Sequence, residues 1–237
     1  MKILVTAGNT QTPIDLVRCI TNIFTGKTGA RIALESVQRQ HETHLLTSHP
    51  EVVAGLTVQP LPIDRWRCIT YRTFEDLELL MEQSIRAHHY DCIIHAAAVS
   101  DYKVDSIHAT APKTHATAGA SLDVMQQVPA KIKSHHAELW LKLVPTVKLI
   151  DKIRPIWGFR GTLVKFKLEA NLTDQELIEQ AEKARLASQA EIIVANNLDS
   201  RDEYAFMNTI NGTYQKITRT VLPAALLDNL EKRHLPL

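Results

Sequence analysis

Two stretches of the chain hold residues whose types and spacing could do chemistry. The first is Val5-Thr6-Ala7-Gly8-Asn9-Thr10, continued by Ile14-Asp15-Leu16-Val17-Arg18 and by Thr21-Asn22-Ile23-Phe24-Thr25-Gly26-Lys27-Thr28-Gly29. Glycines at a strand end and a helix start let backbone N–H groups approach an anion, and the helix terminus adds partial positive charge. Gly26 and Gly29 thus become candidate phosphate contacts, although a loop whose glycines only make turns explains them equally well. Gly26-Lys27-Thr28 is not a P-loop, because that motif needs glycine where Thr21 stands. The second stretch is His95-Ala96-Ala97-Ala98-Val99-Ser100-Asp101-Tyr102. Its small side chains would let a base or ribose meet the backbone of Ala97, with Asp101 accepting from a ribose hydroxyl or holding a metal. Equally, the alanines would serve tight packing and Asp101 would cap a turn.

Other chemistries find no support. The histidine pairs His88-His89 and His135-His136 form neither H-x-x-x-H nor H-E-x-x-H, so no metal site is expected. There is no G-x-S-x-G elbow for a hydrolase, and no G-x-G-x-x-G follows the first strand.

The elements that must position these residues follow from the apolar pattern. Ile3–Thr6 reads as a buried strand, and Ala7–Gly29 as polar and turn-rich. Ala30–Gln40 reads as a helix, Thr43–Thr47 and Trp66–Tyr71 as strands, and Thr73–His88 as a helix with Leu77, Leu80, Met81 and Ile85 on one face. Cys92–Val99 is the clearest buried strand. Residues 104–137 lack a period and are interrupted by Pro112, Gly119 and Pro129, which suits a flap or interface arm better than a plain connection. Leu139–Leu143 and Leu163–Leu168 resume the strand pattern around a short helix at Val147–Ile153. Thr173-Asp174-Gln175-Glu176 is a capping box for a helix reaching Ser188. Glu191–Ala195 reads as a strand, Tyr204–Asn208 and Thr213–Thr218 as a hairpin around Asn211-Gly212, and Ala224–Lys232 as a final helix. Strands alternating with helices imply α/β architecture, a Rossmann-like three-layer sandwich with a mostly parallel central sheet. Ligands in such sheets sit beyond the carboxyl ends of the strands. Without repeat or linker, residues 1–237 are expected to form one domain.

Bulk properties limit the partners. In 237 residues, 27 basic and 26 acidic side chains leave a net charge of +1, so neither nucleic acid nor a membrane surface is expected to bind. Hydrophobic residues at 45% and charged residues at 22% are ordinary for a globular protein. No apolar run suggests a signal peptide or a membrane span. The odd, scattered cysteines Cys19, Cys68 and Cys92 suit a reducing cytoplasm.

Taken together the motifs resemble a known family, the phosphopantothenate–cysteine ligases. These form the synthetase half of the DNA/pantothenate metabolism flavoproteins, here in stand-alone bacterial form. The family's V-T-[AS]-G-G-T, [IL]-D-x-V-R-x-I-[ST]-N and S-[ST]-G-x-x-G are similar to Val5–Thr10, Ile14–Asn22 and Phe24–Gly29. A-A-[VM]-[AS]-D-Y is matched at Ala97–Tyr102, K-I-[KS]-[KS] at Lys131–Ser134, F-K-L-[EL] at Phe166–Glu169 and A-N-[DN]-[LV] at Ala195–Leu198. These segments occur in family order across nearly the whole chain. Departures are Asn9 for a second glycine, Ile23-Phe24 for a more polar pair, Lys165 for glycine, Thr146-Val147 for Asp-Ile and Asn197 for aspartate.

The resemblance implies a ligase that joins 4′-phosphopantothenate to L-cysteine through an acyl-cytidylate, with CTP as co-substrate and Mg²⁺, and with no flavin. It implies that Asn22 meets the acyl intermediate and Lys131 the triphosphate. Arg18 and Ala98 would bind substrate. Gly8, Gly26, Gly29, Ala97, Asp101, Phe166 and Lys167 would bind nucleotide. It further implies a homodimer, with 104–137 as dimer arm and flap. Two rivals remain. An NAD(P) oxidoreductase would need the glycine fingerprint or a Y-x-x-x-K pair, and no tyrosine here has lysine four places on. A non-catalytic nucleotide-binding module would keep the pocket without turnover.

Overall fold

The computed structural model describes residues 1–57, 59–109, 123–125, 131–133, 136 and 138–234. The first strand, β1 (Lys2–Ala7), is buried from Ile3 onward, as a strand covered on both faces must be. A small hairpin follows, β2 (Gln11–Pro13) with β3 (Cys19–Thr21). Helix α1 (Lys27–Gln38) leads to β4 (Glu42–Thr47), α2 (Pro50–Leu56), β5 (Trp66–Thr70), α3 (Phe74–Ala87) and β6 (Cys92–His95). Beyond these lie β7 (Tyr102–Ala109), β8 (Asp123–Met125), β9 (Leu139–Pro145) and α4 (Ile150–Ile153). The chain closes with β10 (Thr162–Glu169), α5 (Asp174–Ala187), β11 (Ile192–Asn197), β12 (Tyr204–Asn208), β13 (Tyr214–Thr218) and α6 (Leu222–His234).

An eight-stranded sheet in the order β13-β12-β11-β10-β6-β1-β4-β5 forms the middle layer. Every pairing from β11 to β5 is parallel, and β12 and β13 extend it antiparallel. Period-two alternation sends Ile3, Val5, Ile94 and Val164 to a core shared with α1, α2 and α6. Leu4, Ile93 and Leu163 go to the other face, against α3 and α4, where α5 buries Leu177 and Ala181 on Ile193 and Ala195. The protein is thus an α/β three-layer sandwich of Rossmann-like build. The chain runs outward from β1 to β4 and β5, then returns to place β6 on β1's other side. That reversal opens a crevice at the carboxyl ends of β1 and β6, the usual ligand position in such sheets.

Local chemistry sets the helix starts. Thr73 with Asp76, and Thr173 with Glu176, form reciprocal capping boxes at α3 and α5, each worth about 1 kcal/mol. No helix among the described residues is long and apolar enough to cross a membrane.

The structure departs from the sequence reading in the middle of the chain. Residues 104–109, expected to be irregular, belong to β7, which pairs antiparallel with β9 and β8 in a separate three-stranded sheet. Strand β9 has no buried residue and β7 buries only Ile107 and Ala109 near its end, so no sustained apolar alternation marked them. Leu139–Leu143 is a strand as expected, but of this small sheet. Much of the expected flap, including 110–122 and 126–130, lies outside the described residues. The expected strand Cys92–Val99 leaves the ladder after His95; Ala96–Val99 instead follows the loop after β1.

Candidate functional site

The crevice between β1 and β6 has a floor made of chain turns tied to one another. Gly8, at φ 90°, turns the backbone out of β1, and any Cβ there would strike Ser48 after β4. Ser48 Oγ instead accepts from Asn9 N–H at 2.9 Å. Gly26, left-handed at φ 78°, is the N-cap of α1, packed so closely on the Gly8 backbone that it has no room for a side chain. At Gly29 a Cβ would stand 2.7 Å from that of Ala7. Gly29 is therefore required by helix-on-strand contact with or without a ligand. No side chain caps the start of α1.

The loop after β6 lies against the loop after β1. Ala96 N–H donates to Thr6 O at 3.2 Å, Ala97 N–H to Thr6 Oγ1 at 3.2 Å and Ala98 N–H to Gly8 O at 2.8 Å. Asn22, brought in by the β2–β3 hairpin, donates from Nδ2 to Ala98 O at 3.1 Å, and its own carbonyl accepts from Asn9 Nδ2. Ser100 N–H donates to Thr10 Oγ1 at 2.8 Å. Asp101 beyond it is exposed, its carbonyl accepting from Thr146 N–H. Beneath the loop, His95 is buried with Nδ1 2.9 Å from Thr6 Oγ1. Burial, with the Lys165 cation nearby, pushes its pKa down to about 4, so the imidazole is neutral at neutral pH.

A rim borders the floor. In the turn between β2 and β3, the buried Asp15 carboxylate accepts from Val17 and Arg18 N–H through Oδ1. Its Oδ2 accepts from Arg18 Nε and Nη2 and, at 3.0 Å, from Ile132 N–H. Arg18 Nη2 also donates to Ile132 O at 2.9 Å. The Arg18 guanidinium, then the Ile132 amide, hold the Asp15 carboxyl well below the usual carboxylate range. Val17, Arg18, Lys131, Ile132 and Lys133 line a groove of about 490 Å³.

The family described as the DNA/pantothenate metabolism flavoprotein C-terminal domain matches residues 1–225. The chain belongs to this family. The coenzyme A biosynthesis bifunctional protein CoaBC of Thermococcus kodakarensis is 32% identical over 198 residues, which are 83% of this chain and 41% of that protein. Human phosphopantothenate–cysteine ligase is 28% identical over 147 residues, 59% of this chain and 40% of that one. The crystal structure of the DNA/pantothenate metabolism flavoprotein from Streptococcus pneumoniae superposes with TM-score 0.78 at 27% identity, covering 99% of this chain and 100% of that chain. The chain spans about two-fifths of the length of the curated relatives it matches first.

In this member of the flavoprotein C-terminal domain family, the residues singled out from sequence fall into three groups. Gly8, Asn22, Gly26, Ala97 and Ala98 come together at the floor, while Arg18 and Lys131 meet at the rim groove. Phe166 and Lys167 do not share a side of β10. Phe166 packs toward α1 and α6, and the pleat sends Lys167 to the opposite face, where it pairs with Glu169 at 2.7 Å. The backbone amide of Ala97 is already spent on Thr6, so a base or ribose would have to meet other groups of that residue.

Four residues escaped the sequence reading. Thr6 and His95 were hidden because only the β1–β6 register sets Thr6 opposite His95. Asp15 stood inside a noted motif, yet its bond to Ile132 spans most of the flap. Arg219, after β13, donates to Asn196 Oδ1 at 2.7 Å and to Thr28 Oγ1 in the first turn of α1. It delivers a partly desolvated cation to that helix start. Among the described residues no group of three His, Cys, Asp or Glu side chains could hold a metal.

Proposed function

We propose that the chain is a ligase that joins 4′-phosphopantothenate and L-cysteine, using CTP. The observation that carries this reading is the convergence of Asn22, the Ala97–Ala98 loop and the Gly8–Gly26 contact at the β1–β6 crevice. These are segments of the motifs by which the chain resembles the ligases, in a family match that spans 1–225. The named activity of the human relative supports the same class.

Two anionic reactants must meet, so the work is positioning and charge neutralisation. A carboxylate oxygen of 4′-phosphopantothenate bonds to the α-phosphorus of CTP, and pyrophosphate leaves. The amine of cysteine then bonds to the acyl carbon, CMP leaves, and the amine gives its proton to solvent. Lys131 faces the triphosphate from the rim. Arg18 keeps 48% of its side chain exposed and meets the substrate's phosphate beside it. Asn22 and Ala98 hold the acyl group, while Gly8, Gly26, Gly29, Ala97, Asp101, Phe166 and Lys167 surround the nucleotide.

The residues present fit a Mg²⁺ carried on the nucleotide's own phosphates with few carboxylates, as this ion prefers, and Asp101 is the exposed carboxylate at the site. The ion supplies charge neutralisation on the triphosphate. Residues 1–237 act as one unit, with 104–137 as flap and dimer arm. The small sheet supports a homodimer by exposing Tyr102, Leu139, Trp140 and Leu143. Cys19, Cys68 and Cys92 are free thiols, which suits the reducing cytoplasm.

The test is pyrophosphate release from purified protein. It is expected only with CTP and 4′-phosphopantothenate together, followed by amide formation when cysteine is added. Absence of release with any nucleotide overturns the ligase reading.

A further inference from the structure

Thr6 and His95 have no place in the two half-reactions as written, yet they lie directly beneath the floor. Thr6 Oγ1 is a hub with two partners, Ala97 N–H at 3.2 Å and His95 Nδ1 at 2.9 Å. A hydroxyl has one proton. Oγ1 accepts from Ala97 and keeps a second lone pair; the arrangement that gives both groups a partner sends its own proton to His95 Nδ1 and leaves the imidazole proton on Nε2. The chain Ala97 N–H to Thr6 O–H to His95 Nδ1 therefore runs in one direction, and each bond polarises the next. Both side chains are buried, so the two bonds are shielded from bulk solvent.

The next residue shows what this chain supports. Ala98 N–H is held by Gly8 O, and Ala98 O accepts from both Asn22 Nδ2 and Thr10 N–H. Ala97 is one peptide unit away, so the Thr6 bond acts together with Gly8 and Thr10 in fixing the oxygen on which Asn22 hangs. That oxygen also fixes which end of the Asn22 amide does so: Nδ2 is bound to Ala98, and Oδ1 is the end left to turn toward other groups. His95→Leu would fill the space but leave the Thr6 hydroxyl a buried donor without that acceptor.

We propose that Thr6 and His95 are positioning residues that orient Asn22 through Ala97–Ala98, and so govern the passage of the acyl-nucleotide to cysteine more than the step that forms it. This rests on the ligase reading and on the role given there to Asn22. The mechanism is geometric, since displacements near 1 Å at a reacting centre cost on the order of a hundredfold in rate.

Thr6→Val is the informative variant, because valine keeps the shape and removes the hub. In single-turnover reactions with CTP and 4′-phosphopantothenate, pyrophosphate release should slow far less than the step that follows it. The cysteine-dependent step should slow by roughly 10–100-fold, with acyl-cytidylate building up. Thr6→Ser, which restores the hydroxyl, should recover most of that rate. The double variant Thr6→Val/Asn22→Ala should be no slower than Asn22→Ala, because one acts through the other. NMR of side-chain-labelled protein gives a readout free of turnover. The Asn22 side-chain amide resonance should move in Thr6→Val and return in Thr6→Ser, and His95 should titrate as a neutral Nε2–H tautomer down to acid pH. Multiplicative losses in the double variant, equal slowing of both half-reactions, or an unmoved Asn22 resonance would each overturn the proposal. A wild type that makes no acyl-cytidylate removes the ligase reading, while the resonance shift still decides whether Thr6 orients Asn22.

Discussion

The floor and the rim of the crevice are built in opposite ways. At the floor, Asn22 is fixed by the backbone of Ala98 after β6 and the side chain of Asn9 after β1, with neutral groups throughout: Asn9, Ala98, Thr6 and an uncharged His95. At the rim, the Lys131 segment is held by one ionised carboxylate, Asp15, and by the arginine that the same carboxylate orients. A floor of strand ends inherits the stiffness of the central sheet. A rim held at one charged point can hold position and still release. The floor therefore suits a residue that meets the reacting atoms, and the rim suits one that closes on a charged ligand as a lid does.

The largest expected effect is at the floor. Asn22→Ala removes a preorganised amide and should slow amide formation by roughly 10²–10³-fold, with acyl-cytidylate accumulating in quenched reactions analysed by mass spectrometry. Normal amide formation without build-up would assign Asn22 to the turn alone.

Acid should separate the two regions next. His95 has a folded pKa of about 4 against an ordinary value of 6.5. Above 6.5 it is neutral folded or unfolded and contributes no slope. Between 6.5 and 4 only the unfolded chain takes up the proton, so stability should fall by about 3 kcal/mol across that window. Asp15 behaves differently, since its folded pKa lies below the unfolded one; its contribution is present above the unfolded value and is lost only at more acid pH. Denaturant unfolding from pH 7 to 4 should show the early loss in the wild type, and His95→Gln should flatten it. An unchanged slope in that variant would place the acid sensitivity elsewhere.

The smallest effect is expected at the rim. Lys131→Gln should slow pyrophosphate release on the order of tenfold, which corresponds to about 1.4 kcal/mol of lost charge pairing. Asp15→Asn should reproduce part of that loss by freeing the Ile132 segment. Pyrophosphate release by Asp15→Asn equal to wild type would show that the clasp does not position Lys131, and the contrast between floor and rim would fall.

Much of this arrangement was legible in the residues before any coordinates. Ile3–Thr6 announced a central strand because an unbroken apolar run has to be covered on both faces. Thr173 and Glu176 announced the start of α5 because a capping box is completed within four residues. Asn211-Gly212 announced the last hairpin, and Gly212 takes φ 80° there. The motif residues Asn22, Ala98, Gly8 and Gly26 were also in hand. Strand β7 was not, because its buried alternation is confined to Ile107 and Ala109 and its partner β9 lies beyond the segment read as a flap.

The sequence by itself determined the elements, their order and the residue types able to meet phosphate and acyl groups, since helix caps, turns and apolar periods are local properties of the chain. Only the tertiary structure decided which of those residues act together. Sheet register set Thr6 opposite His95, the return of β6 beside β1 put Ala98 under Asn22, and the turn at Asp15 reached across to Ile132. Contacts of this kind depend on strand order and register, which arise from burial summed over the whole core rather than from any short stretch of residues.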